Sequence, residues 1–498
     1  MSWSEARSRE RIRNHLKTVP QFDDQISLAA MSDKAMAEDR GLLSTFTTGR
    51  AKVVEGAHLY AQLLDFDNLV VDQNKIETEE SHRNVLRFLN MHYRLWDTII
   101  GDHDSDRVDY HGARLHAIIV SPEGDGRAQT ARAVALAHQL NDATRRVGSA
   151  YGFPTRIRFG IAQGKCLALT TGRDHDKDVL FLGSPANHAP KLAAARDEAG
   201  VYIAPAAQMI VGANASRKTS TGDMALDEMF LADAARAYPF AGLDEAVSRL
   251  TDEARQEVLF IFRRATPPLR DLDFSQISAS NSIRMGMASI FADIDKFTAF
   301  VDGAVAQGND AIKHAATTVH VIREELNDVL KEDSGGKRVR FIGDCIHGLL
   351  AEGRLKDDPP TAIDDAIMCA AGMKDSFVLC QQMIGGIDML DLAIGVEFGP
   401  VPLTRIGLRG ENSVRCAAGR AVMISEREQQ SLEGGGIKLG REALRLAKPS
   451  TARLLAKGTR LLGYDATADL LGSIASPAVA AVREDRAARP YLRGEKSA

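Results

Sequence analysis

A chain of 498 residues is too long for one ordinary hydrophobic core, and length alone predicts about three domains. Its apolar share of 44% is that of a soluble globular protein, and a net charge of −5 with both signs interspersed excludes a general nucleic-acid surface. Five cysteines (Cys166, Cys345, Cys369, Cys380, Cys416) are scattered, odd in number and without zinc spacing, which excludes a disulfide framework and points to a reducing compartment.

The N-terminus carries no apolar stretch of signal-peptide length, and no apolar run approaches a membrane span, so a cytoplasmic protein with no membrane segment is expected. Residues 1–50 are charged and helix-prone, and Ile12, Leu16 and Val19 form a thin apolar face suited to packing on a neighbour. From 53 the pattern changes. Leu59 to Val70 is an apolar run ending in an acidic turn at Asp65, followed by a helical pattern from Glu79 to Trp96. Arg107 to Val120 reads as strand, glycine turn at Gly112, strand. A helix around 131–147 precedes Arg156 to Gly164 and then Leu180 to Leu192. Asp102-His103-Asp104 and Asp174-His175-Asp176 lie in polar turns and read as solvated loops, not metal clusters. Residues 213–284 begin and end in Ser-rich polar stretches of linker character, with helical sequence between.

The second half opens on Met285 to Thr298, where an apolar strand ends in Asp293. A carboxylate on the rim of a buried strand costs desolvation unless a metal or an arginine offsets it; capping of the next helix is the plainer alternative. Lys296 and Thr298 follow at a helix start, where backbone amides suit a triphosphate, while Phe297 between them is more simply core. Arg338 to Leu350 is a hairpin with Gly343-Asp344 at its tip, a second exposed carboxylate. Two carboxylates brought together repel unless they share divalent cations, and hard oxygen ligands suit Mg²⁺ or Mn²⁺. Gly434-Gly435-Gly436 lacks the lysine and hydroxyl of a phosphate loop and reads as a turn, and the tail, 476–498, reads as exposed.

The halves repeat. Asp65 and Asp293, Gly112 and Gly343, Gly160 and Gly395, and Gly183 and Gly419 are separated by 228, 231, 235 and 236 residues, a near-constant offset that marks an internal duplication. The second copy keeps both carboxylates, whereas the first has Ala113 opposite Asp344 and cannot hold a two-carboxylate metal pair. Strands alternating with helices around a hairpin make each copy an α+β unit. The expected division is an N-terminal helical segment 1–50, a first domain 53–212, a linker 213–284, a second domain 285–475 and the tail.

Phe291 to Thr298, Ile342-Gly343-Asp344, Ile394 to Gly399 and Gly419 to Arg427 follow one another as in class III nucleotidyl cyclases, and residues 285–430 resemble that family. The resemblance implies two ferredoxin-like domains packed as a pseudo-dimer, with sites in the cleft between them. It implies metal ligands at Asp293, Ile294 and Asp344 for two Mn²⁺ or Mg²⁺ ions. It also implies an Asn and an Arg, one helical turn apart on the opposite repeat, that orient ribose and stabilise charge on the α-phosphate. The first repeat carries Asn187 and Lys191 there; lysine keeps the charge and loses the fork. The second carries Met423 and Arg427 and lacks the amide. One competent site and one decayed site follow, unless Asn187 only packs locally and Lys191 is a solvated charge.

In the family, the position three before the hairpin glycine reads the base. For the competent site that is Asp109, with Leu180 at the partner position; Arg340 and Cys416 would face the decayed site. Neither purine pattern fits. An aspartate accepts hydrogen bonds and suits an exocyclic amine such as that of cytosine; guanine would also satisfy it and adenine less obviously, and CTP is the expected substrate. This departure resembles the pyrimidine cyclases of the Pycsar antiphage systems, which implies a cyclic nucleotide messenger and a separate effector. The competing expectations are an adenylate or guanylate cyclase, a homodimer instead of a monomer, and a non-catalytic nucleotide-binding regulator.

Overall fold

The computed structural model describes residues 2–22, 49–64, 66–71, 74–101, 105–171, 178–212, 216–220, 222–254, 258–351, 359–408, 413–457 and 462–472. Asp65, the groups at 102–104 and 174–176, and the tail from 476 lie outside them. After helix α1 (Glu5–His15), the first repeat runs β1 (Arg50–Leu63), α2 (Glu79–Gly101), β2 (Asp106–His111), β3 (Arg114–Ile119), α3 (Gly126–Ala150), β4 (Ile157–Thr171), β5 (Asp178–Leu182), α4 (Ser184–Ala194) and β6 (Gly200–Ile203). The second runs β7 (Ser282–Asp295), α5 (Phe297–Gln307), α6 (Asn309–Asp328), β8 (Lys337–Ile342), β9 (Cys345–Leu350), α7 (Pro359–Ile384), β10 (Asp391–Gly407), β11 (Ser413–Ala417), α8 (Arg420–Gln430) and β12 (Gly436–Leu439).

Each repeat is thus a βαββαβ unit with appended elements, and the sheet orders match: β2-β3-β1-β4 in one and β8-β9-β7-β10 in the other. The register matches too. Tyr60 lies opposite Gly160 and Phe291 opposite Gly395, and a bulge falls between Arg107 and Asp109 in one hairpin and between Arg338 and Arg340 in the other. Side chains alternate across the first sheet as the pleat requires. Leu59, Ala61, Leu115, Ala117, Phe159 and Ile161 join the core with α2 and α3, which contribute Phe88, Trp96 and Leu140. The opposite face receives α4, and it can do so only at glycine: a Cβ on Gly160 would collide with the Ala189 carbonyl, as one on Gly395 would with that of Ser425 on α8.

The repeats share their cores at both ends. Ala51, Leu167, Leu169, Leu180 and Leu182 pack with Val301 and Ala304 of α5, while Ile406, Cys416 and Ala418 join the core of the first repeat. Helix α1 lies on α6 and α7 with Ile12 fully buried, and Gln21–Phe22 then pairs with Arg50–Ala51, so the N-terminal segment joins one repeat to the other. Arg11 donates to Glu325 and Asp333, whose side chains are 0% and 1% exposed.

Candidate active site

Strand β7 delivers Asp293 and Ile294 to the edge of the inter-repeat cleft. The β8–β9 hairpin brings the second carboxylate beside them, because Ala292 pairs with Ile346 and the tip closes in two residues, Gly343 and Asp344. Gly343 takes φ +61°, as Gly112 takes +52° in the other hairpin, a conformation that favours glycine. Desolvation, and then the neighbouring Asp344, push the Asp293 carboxyl well above the usual carboxylate range. Asp344 is pushed up to about 7 by desolvation, against the pull of the backbone N–H groups of Asp344 and Ile294 and of the Arg323 charge. Gln429 Nε2 donates to Asp293 Oδ2 at 3.3 Å. Two crowded carboxylates that resist ionising together, beside the Ile294 backbone, make an oxygen donor set suited to hard divalent cations.

Just past this edge α5 begins. Lys296 has φ +62° and gives its N–H to Asp295 Oδ1 at 3.0 Å, and Phe297 is a core residue at 2% exposure. Thr298 meets Asn187: the amide Nδ2 donates to Thr298 Oγ1 across the repeats. Lys191 is exposed one turn further along α4. The Asn187 helix of one repeat therefore touches the other repeat five residues past Asp293.

The base-position residues are arranged differently from the sequence expectation, which put Asp109 and Arg340 at separate sites. The structure joins them: Arg340 Nη1 donates to Asp109 Oδ1 at 3.0 Å, and its Nη2 donates to the Arg415 carbonyl. The reason is the shared register. Asp109 pairs with His116, and His116 with Tyr60; Arg340 pairs with His347, and His347 with Phe291. These equivalent rows lie on the faces that the two sheets turn to each other. In each row the ring pair stacks, Tyr60 on His116 and Phe291 on His347, both at 4.2 Å between centroids. Leu180 is buried, 4% exposed.

At the related cleft, Ala113 is buried where Asp344 has its carboxylate. Glu426 of α8 accepts from His111 Nε2 at 3.2 Å and from Arg114, both on the first hairpin. Burial opposes its charge, but Arg114 and His111 hold Glu426 well below the carboxylate range. An ion-paired cluster thus lies beside the position where a second metal carboxylate would be. Arg427 is exposed near Asp67.

Sequence reasoning missed Gln429, Glu426, His111 and Arg114. Their roles depend on contacts across strands or repeats and leave no local signal. Among the described residues, His15, Glu325 and Asp328 bring three metal-capable groups together on the outer helices. There Glu325 also accepts from Arg11 and Ser8, which makes this cluster the clasp of α1.

A family profile described as the adenylate and guanylate cyclase catalytic domain matches residues 64–236, the repeat bearing Ala113. A protein of a Rhizobium species, named uridylate cyclase, is 38% identical over 99% of this chain and all of that protein. One from Pseudomonas aeruginosa with the same name is 33% identical over 91% of this chain and 89% of its own. A crystal structure from Pseudomonas aeruginosa, described as a class III adenylyl cyclase-like ATP-binding protein, superposes with a TM-score of 0.81 at 32% identity. It covers 95% of this chain and 100% of that one.

Proposed function

Because this chain belongs to the class III nucleotidyl cyclase family and is a nucleotidyl cyclase, we propose that its substrate is a pyrimidine nucleoside triphosphate, UTP ahead of CTP. The 3′ hydroxyl attacks the α-phosphate, the 3′,5′-cyclic nucleotide forms and pyrophosphate leaves. The name of the two relatives carries the base assignment, and the Asp109–Arg340 pair is the group that would read it. The pair sets one acceptor beside one donor, which meets uracil through N3–H and a ring carbonyl and cytosine through its amine and N3; guanine and adenine present the same two edges, so the pair orients a base without selecting a pyrimidine. The name shared by the two relatives favours uracil.

The roles divide between the repeats, 53–212 and 285–475. Asp293, Asp344 and the Ile294 carbonyl hold two divalent cations, Mg²⁺ or Mn²⁺, which when bound would ease ionisation of the 3′ hydroxyl and neutralise the triphosphate. Asn187 orients the ribose, and Lys191 places positive charge where the α-phosphate gains negative charge. The backbone at Lys296, Phe297 and Thr298 meets the phosphates at the start of α5. Ala113, Met423 and the Glu426 cluster leave one working cleft per chain, so a monomer suffices. The product acts as a diffusible messenger on a separate effector, in antiphage defence, within the cytoplasm; among the described residues no helix is long and apolar enough to cross a membrane.

The test is incubation of the purified chain with ATP, GTP, CTP and UTP separately, with Mn²⁺, followed by product analysis. Cyclic UMP as the main product is expected. Cyclic AMP or cyclic GMP would refute the base assignment and leave the mechanism. A second reading, adenylate cyclase, takes support from the description of the solved relative as ATP-binding.

A further inference from the structure

Each of the two helices that cross the cleft is capped by a carboxylate from the other repeat. Helix α4 starts at Ser184, and Pro185 next to it has no N–H to offer, so few amide donors face outward at this end. Asp302 Oδ1, on α5 of the second repeat, accepts from Ser184 N at 2.6 Å. Helix α8 starts at Arg420, whose N–H goes to Glu77 Oε1 of the first repeat at 2.7 Å. Both helices follow a glycine that makes room for the incoming carboxylate. Gly183 and Gly419 have φ of +127° and +120°, and a Cβ on either would lie 3.3 or 3.1 Å from the capping oxygen. Behind Glu77 stand His82 at 3.1 Å and, donating to His82, Arg284 at 2.9 Å.

The two caps are built alike but hold different cargo. The α8 cap anchors a helix with Met423 in the amide position. The α4 cap anchors Asn187 and Lys191. Thr298 and Asp302 lie one turn apart on α5, and through them α5 grips α4 at both Asn187 and Ser184. Helix α5 in turn begins two residues after β7, the strand that carries Asp293. A short rigid path therefore runs from the carboxylate edge through α5 to the helix bearing Asn187.

We propose that Asp302 is a positioning residue of the cyclisation reaction. By capping α4 it sets Asn187 and Lys191 at their working distance from Asp293 and Asp344, whereas Glu77, its counterpart, caps a helix that has Met423 in the amide position and touches Asp293 only through Gln429 near its far end. The proposal rests on the roles given above to Asn187 and Lys191. Misplacing a catalytic group by about 1 Å can cost about 100-fold in rate, so the loss should appear in kcat.

The experiment compares Asp302→Ala, Asp302→Asn, Glu77→Ala and Asn187→Ala in the full chain. Readouts are steady-state kinetics with Mn²⁺ and UTP, or whichever triphosphate is turned over, together with thermal melting. Asp302→Ala is expected to lower kcat about 10- to 100-fold while KM moves less than about threefold. Asp302→Asn restores kcat to within about threefold, because its amide oxygen caps equally well. Glu77→Ala lowers the melting temperature comparably and lowers kcat clearly less than Asp302→Ala does, because α8 reaches the carboxylates only by the Gln429 bond near its far end. Should Asp302→Ala fail to fold, Asp302→Ser, whose shorter side chain withdraws the acceptor from Ser184, carries the same expectation. Equal loss of kcat in the Asp302 and Glu77 variants, or a wild-type kcat in Asp302→Ala, overturns the proposal. If Asn187→Ala abolishes turnover while Asp302→Ala does not, only the positioning role falls. If Asn187→Ala keeps its kcat, the reading of α4 falls and the proposal with it.

Discussion

Replacing Asp344 with asparagine should stabilise the metal-free protein while abolishing its activity. In the fold this carboxyl holds its proton up to about pH 7, pushed there by desolvation, while in the unfolded chain it releases it near the ordinary 3.8. Between those values the folded state binds more protons, so stability falls as pH rises from about 4 to about 7 and is level above. At about 1.36 kcal/mol per decade of proton affinity, ionising the crowded Asp293–Asp344 pair in the metal-free fold costs several kcal/mol, shared between the two carboxyls. Asparagine keeps the shape and removes that cost, and it relieves Asp293 of its nearest like charge. For a unit of this size each kcal/mol recovered corresponds to a rise of about 2–4 °C in Tm. The assay is thermal melting in chelator at pH 5 and pH 8, repeated with Mn²⁺. The variant should exceed wild type by several degrees at pH 8, with a smaller gap at pH 5, and only wild type should gain on adding Mn²⁺. A variant no more stable than wild type at pH 8 without metal would refute the view of Asp293 and Asp344 as a strained pair awaiting cations.

Three further outcomes are expected. Asn187→Ala should lower kcat about 100-fold or more with little change in KM, since the amide acts on the developing transition state; single-turnover kinetics would check this. Asp109→Ala and Arg340→Met should each erode discrimination among the four triphosphates by about 10-fold or more, read as ratios of kcat/KM, because each removes one of the two polar groups offered to the base. Arg11→Met leaves Glu325 buried without its guanidinium, while Asp333 keeps that of Arg7, and should cost about 3 kcal/mol, seen as a lower urea midpoint; adding Glu325→Gln should recover part of it.

The sequence by itself determined the α+β class, the duplication and the asymmetry between the copies. Turn glycines, strand alternation and helical spacing are local signals, and an alanine at 113 cannot ligate a metal in any fold. The same reasoning singled out Asp293 and Asp344, because charges at strand and hairpin ends stand out from the apolar runs beside them. Only the tertiary structure decided how the copies meet. Asp109 and Arg340 lie 231 residues apart, and their pairing depends on a bulge in each hairpin and on the packing of one sheet face against the other. Asn187 with Thr298, Asp302 with Ser184 and Glu77 with Arg420 likewise arise from rigid docking of whole repeats. Local pattern sets which face of an element is apolar, but the partner of a polar side chain across an interface is set by the positions of hundreds of other atoms.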